Sequence, residues 1–140
     1  MNERSGKYSR KLFTGKEFIE PLRVTEYLVA VYTIFRDQIY DPRNVLYPCC
    51  GFDPNPVLVF ENVTFVDAEK GNEGCIKSLQ NAGLNALKED IREHHPQEPY
   101  DLLILLNPVI PTEYVARYVR SGGYVLSNDY HGNASQMFRD

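Results

Sequence analysis

The residues best equipped for chemistry sit where a short apolar stretch gives way to a tight turn. Tyr47, Cys49, Cys50, Gly51, Phe52 and Asp53 follow Asn44-Val45-Leu46 in one continuous run. About fifteen residues past the turn, a second apolar run from Val63 to Val66 ends on Asp67 and Ala68. A glycine in such a turn lets the backbone approach a ligand closely. A carboxylate at the tip of the next strand accepts hydrogen bonds from ribose hydroxyls. The pair points to a nucleotide-type ligand. Each residue also has a plainer use: Asp67 as a solvated cap of the next helix, Gly51 as an ordinary turn, and Asp53 as the cap of a helix starting at Pro54.

The other titratable residues are less pointed. Cys49 and Cys50 are adjacent, lack the ligand spacing of a structural zinc site, and have none of His94, His95 and His131 near them in sequence. They are expected as small apolar side chains packed in the turn, with no metal. His94-His95, before Pro96, reads as an exposed loop. Asn128-Asp129-Tyr130-His131-Gly132-Asn133 follows the last apolar run. By topology it falls on the same edge as the turn, where Asp129 could orient an acceptor and His131 act as a general base, or both could face solvent.

An open α/β sheet is needed to hold these residues together. Residues 1–14 form a polar lead-in with a basic cluster, and 15–140 read as a single domain. From Gly15 to Ile39 apolar residues recur every three or four positions, predicting one or two helices interrupted near Pro21. Strands are expected at 45–47, 63–66, 85–87, 100–106 and 124–127, with helices over 72–81 and 112–120 and a turn at Ser121-Gly122-Gly123. That alternation implies right-handed crossovers and a doubly wound, mainly parallel sheet of about five strands with helices on both faces. The almost wholly apolar run Tyr100–Leu106 suits a central strand covered on both sides.

Composition removes several classes of function. The net charge of -4 disfavours a nucleic-acid partner held by bulk electrostatics. No apolar run is long enough to span a bilayer. Three cysteines, two of them adjacent, do not make a disulfide framework and point to a reducing cytoplasm. No G-x-G-x-x-G occurs, which weighs against a dinucleotide-linked oxidoreductase.

In order and spacing, residues 43–130 resemble the class I S-adenosylmethionine-dependent methyltransferases, a Rossmann-like family. Val45–Asp53 stands in the place of the glycine-rich first motif, with Tyr47 where an acid is usual and Cys49 and Asp53 where glycines are common. Val63–Asp67 is similar to the strand ending in the ribose-binding acid, and Leu87–Ile91 to the segment whose Asp90 meets the adenine amino group with apolar Ile91 beside the ring. Val119–Leu126 is close to the family's leader, Gly-Gly and strand. Asn107-Pro108, at the tip of the fourth strand, half matches the motif that holds the nitrogen in amino-directed members. The resemblance implies S-adenosylmethionine as cofactor. It places Tyr47, Cys49 to Asp53, Asp67, Ala68, Asp90 and Ile91 around that cofactor, and Asn107, Pro108, Asp129 and His131 toward an unidentified acceptor. Family sheets usually end in an antiparallel hairpin that these residues do not supply, which leaves a minimal version, a fragment, or a sheet edge covered by a second copy or another subunit. A catalytically degenerate binding domain of the same fold is the alternative.

Overall fold

The computed structural model describes residues 18–106 and 112–128. Asn107, Pro108, Asp129 and His131 lie outside the described residues. The described elements run α1 (Glu26–Gln38), β1 (Val45–Pro48), a 3-10 turn (Asn55–Leu58), β2 (Val63–Asp67), α2 (Cys75–Asn81) and β3 (Asn85–Lys88). A second 3-10 turn (Ile91–Glu93), β4 (Tyr100–Leu105), α3 (Thr112–Ala116) and β5 (Val119–Ser127) complete the order.

The strands form one sheet in the order β3-β2-β1-β4-β5, and every pairing is parallel. Register is fixed by pairs such as Tyr47 with Phe65 and Val45 with Leu102. Strands β1, β2 and β4 are buried along their whole length. That burial is why they read as continuous apolar runs without alternation. Successive side chains go to opposite faces. Val45, Tyr47, Val63, Phe65, Leu102 and Ile104 pack with α1, the first 3-10 turn and α2. Leu46, Val66, Leu103 and Leu105 pack with Ile91, Val115 and Tyr118 on the other side. The second face is the more thinly covered, with one 3-10 turn and the short α3.

Chain order reverses direction between β1 and β4, since β2 and β3 extend one way and β4 and β5 the other. Open α/β sheets bind ligands outside the carboxyl ends of the strands at such a switch point. The two expected candidate turns both lie there.

The structure differs from the sequence reading at several points, among them the helix expected over 112–120, which ends at Ala116, and the helix expected from 72, which starts at Cys75. The amphipathic stripe yields a single helix beginning at Glu26, with Val29, Tyr32 and Phe35 buried, while residues 18–25 reach it as irregular chain. His94 is buried, its Nε2 lying 2.9 Å from Tyr100 Oη and its Nδ1 3.2 Å from Glu89 Oε2; only His95 is exposed. β5 starts at Val119, and the expected turn is an outward bulge within it: Val119 pairs with Tyr100, whereas the next pair on β4, Leu102, meets Tyr124.

Gly123 explains that bulge. A Cβ there would lie 2.5 Å from Val119 Cγ1 and 3.1 Å from the carbonyl oxygens of Arg120 and Asp101. Gly123→Ala is therefore expected to destabilise the fold by about 1–3 kcal/mol in urea denaturation. An unchanged midpoint would show that β5 does not approach β4 as described.

Candidate active site

Asp67 ends β2 almost fully buried, at 7% exposure. Its Oδ2 accepts from the Gly51 amide at 2.8 Å and its Oδ1 from the Glu69 amide at 2.6 Å. The two features singled out in the sequence are thus in direct contact. The turn after β1 is pinned to β2 again by the Cys49 amide, which donates to the Val66 carbonyl at 2.7 Å. Gly51 adopts φ 58, a left-handed backbone that glycine takes without a Cβ penalty. The Gly51 amide, expected to face a ligand, instead donates to Asp67. An ionised carboxylate has about four acceptor positions, so Asp67 retains about two for a ligand.

Two hollows flank this turn. A crevice of about 160 Å³ is lined by Cys49, Asp67, Ala68, Glu89, Asp90 and Ile91 among others. It brings together the acid, the small residue after it and the Asp90-Ile91 pair. Asp90 is gripped by Arg92, whose Nη2 and Nε donate to Oδ2 and Oδ1 at 2.6 and 3.0 Å. Those bonds hold the carboxyl down at about 2. Glu69, whose amide bonds Asp67, accepts in turn from the amides of Gly74 and Ile76, which hold its carboxyl below the usual range and fix the start of α2.

The second hollow, of about 490 Å³, opens at the switch point. Tyr47 and Cys50 form its floor, Leu28, Val31 and Tyr32 of α1 one wall, and Leu106, Leu126 and Asn128 another. Its volume lies in the range of small-molecule sites, about 300–1,000 Å³, whereas the crevice falls short of that range. Asp53 organises the floor: its Oδ2 accepts from Tyr47 Oη at 2.6 Å, and its Oδ1 from the Asn55 amide at 3.0 Å. Asn55 passes this order on to α1, because its Oδ1 accepts from the Thr25 amide at 2.7 Å. The N-cap of the 3-10 turn is Pro54, but Asp53 holds the turn's first amide from one residue earlier, and it also joins the turn after β1 to the helix that walls the cavity. Phe52 is half-buried against the core. Tyr32, Asn55 and Glu69 were not distinguished in the sequence. Tyr32 was concealed within the apolar stripe of α1, where only its hydroxyl among core side chains signals a polar demand.

Cys50 and Cys75 are buried, and Cys49 is half-buried. Burial first, then the nearby Asp67 carboxylate, pushes the Cys50 thiol far up; the same two causes push Cys75 up to about 12. A thiol with a raised pKa supplies little thiolate nucleophile. Iodoacetamide at pH 8 is accordingly expected to leave both unmodified in native protein and to label both in urea, as read by peptide mass spectrometry. Rapid native labelling of either would contradict this packing. Among the described residues no three His, Cys, Asp or Glu side chains converge on a metal site. Among them, too, no helix is long and apolar enough to cross a membrane.

No family model matches the sequence, and no curated protein matches it. Solved structures do match by fold. One is the N-methyltransferase NodS from Bradyrhizobium japonicum in complex with S-adenosyl-L-homocysteine, with a TM-score of 0.56 at 12% identity. Others are coclaurine N-methyltransferase bound to N-methylheliamine and S-adenosylhomocysteine, at 0.52 and 21%, and the sugar N-methyltransferase KedS8 from Streptoalloteichus, at 0.52 and 16%. The fold is that of the class I methyltransferases. The alignments cover 73%, 73% and 86% of this chain but 60%, 34% and 51% of those proteins. Cys49 has a left-handed backbone, φ 57, a conformation uncommon for a residue other than glycine.

Proposed function

We propose that the protein is an S-adenosylmethionine-dependent methyltransferase. One observation carries this reading: consecutive residues of one turn, Cys49 and Cys50, line different hollows. The turn after β1 thus borders both hollows, and a ligand spanning it would touch the Asp67–Asp90 crevice and the cavity at the switch point. The residues present fit the cofactor. Asp67 and Ala68 would meet the ribose, Asp90 and Ile91 the adenine, and Tyr47 and Cys49 to Asp53 the methionine end.

When bound, the cofactor supplies a methyl group already activated on a sulfonium. The protein then has mainly to align an acceptor and exclude water. The cavity walled by α1 suits the acceptor. Asn107 and Pro108 follow Leu106 in sequence, and Asp129 and His131 follow Asn128, and both leading residues line that cavity. These four remain the proposed acceptor-facing positions.

A second reading, a degenerate domain of the same fold, is favoured by the closure of Gly51 onto Asp67 at 2.8 Å, which engages both groups with each other. Calorimetric titration with S-adenosylhomocysteine, S-adenosylmethionine and NAD separates these readings. The methyltransferase reading expects binding of the first two with raised Tm and no response to NAD. No heat and no Tm shift at millimolar S-adenosylhomocysteine, with the fold retained, would favour the degenerate domain.

A further inference from the structure

Among the described residues, the cavity at the switch point contains one buried polar group without a hydrogen-bond partner. Tyr32 is 1% exposed, and its Oη is a buried polar atom with no hydrogen-bond partner. Buried hydroxyls normally find one, and an exception calls for a cause. Tyr32 lines the same cavity as Tyr47 and Asp53, and its phenol lies within the electrostatic reach of both. Burial pushes the Tyr32 and Tyr47 phenols well up, so both remain neutral hydroxyls at ordinary pH. Tyr47 Oη already donates to Asp53, which leaves its own oxygen lone pairs to accept.

The charge of the described lining has one sign. It holds one carboxylate, Asp53, neutral groups that can donate or accept (Tyr32, Ser127 and Asn128), no lysine, arginine or histidine among the described residues, and apolar surface such as Leu106 and Leu126. A purely anionic occupant would face Asp53 with no cation among the described lining residues to offset the repulsion, whereas a zwitterion such as the cofactor's methionine end brings its own ammonium. An occupant that brings N–H donors and positive charge on an apolar body meets acceptors at the floor, aromatic faces and aliphatic walls.

From this we infer that the cavity is the acceptor subsite for a small amine with an aromatic or aliphatic body, whose nitrogen hydrogen-bonds Tyr32 Oη beside the Tyr47–Asp53 pair. This specificity rests on the proposed methyltransferase reading, but amine binding is measurable without the cofactor.

The probe is phenethylamine, titrated calorimetrically into the full chain with and without S-adenosylhomocysteine, against phenylacetate of similar size. The amine is expected to bind and phenylacetate to show no heat at the same concentration. Tyr32→Phe is expected to weaken phenethylamine about fivefold to tenfold, the loss of one hydrogen bond, and to leave S-adenosylhomocysteine affinity unchanged. Because it removes an unsatisfied hydroxyl, this variant should melt at or above the parent temperature. Phenylacetate binding as well as the amine, no amine binding up to 10 mM (on the order of the weak limit of such contacts), or a Tyr32→Phe variant that binds the amine undiminished would each overturn the inference. Amine binding without any S-adenosylhomocysteine binding would uphold the subsite and remove the methyltransferase reading instead.

Discussion

Asp101→Ala is expected to lower the free energy of unfolding by about 3–5 kcal/mol. Asp101 sits at the start of β4 with 4% exposure. Its Oδ2 accepts from Tyr40 Oη and the Arg43 amide, both at 2.9 Å, and its Oδ1 from the Asn44 amide at 2.8 Å. Arg120 Nη2 donates to Tyr40 Oη at 2.7 Å and draws the β5 bulge into the same cluster. Truncation leaves two backbone amides and a phenol without acceptors at the point where the chain enters the central strand. Asp101→Asn keeps an acceptor oxygen but sets an amide against one of those donors, so it should recover only part of the loss. Urea denaturation of the two variants tests this. A change below about 1 kcal/mol for Asp101→Ala would mean that the residues before β1 are held by something other than this carboxylate.

The second large effect concerns Asp67 and has two parts. Asp67→Ala removes the acceptor from the Gly51 and Glu69 amides and is expected to cost about 2–4 kcal/mol of stability. It should also weaken S-adenosylhomocysteine at least about thirtyfold, the loss of roughly 2 kcal/mol of charged hydrogen bonding together with a displaced turn. Asp67→Asn is not a mild substitution here, because each oxygen accepts from a backbone N–H and the amide nitrogen must face one of them. Binding is to be measured at a temperature where circular dichroism shows each variant folded. An Asp67→Ala protein that binds as tightly as its parent would remove this residue from the ligand site.

Much of the architecture was legible because parallel strands buried on both faces write themselves as unbroken apolar runs. Val45–Tyr47, Val63–Val66 and Leu102–Leu105 all became strands. The beginning of β5 was hidden because Arg120, Ser121, Gly122 and Gly123 leave the ladder as a bulge, and polar residues with two glycines read as a turn. The start of α1 was blurred because Phe18 and Leu22 extend its apolar spacing while packing into the core as irregular chain. At the site, Gly51 and Asp67 stood out by type and position. What they do to each other did not, since a contact across sixteen residues leaves no local pattern. Asp101 passed as a lone acid in an apolar strand, and Tyr32 as one more member of a helix stripe. In both cases the informative quantity is the partner, or the missing partner, of a buried oxygen.

The most direct test of the shared crevice is a chemical-shift map of the amides on titration with S-adenosylhomocysteine. The account predicts perturbations at Cys49 to Asp53, at Asp67 and Ala68, and at Glu89 to Ile91. It predicts none around Phe60, Asn62 and Leu84, which line a separate hollow of about 480 Å³. Perturbations confined to that separate hollow, or none at millimolar ligand, would contradict it.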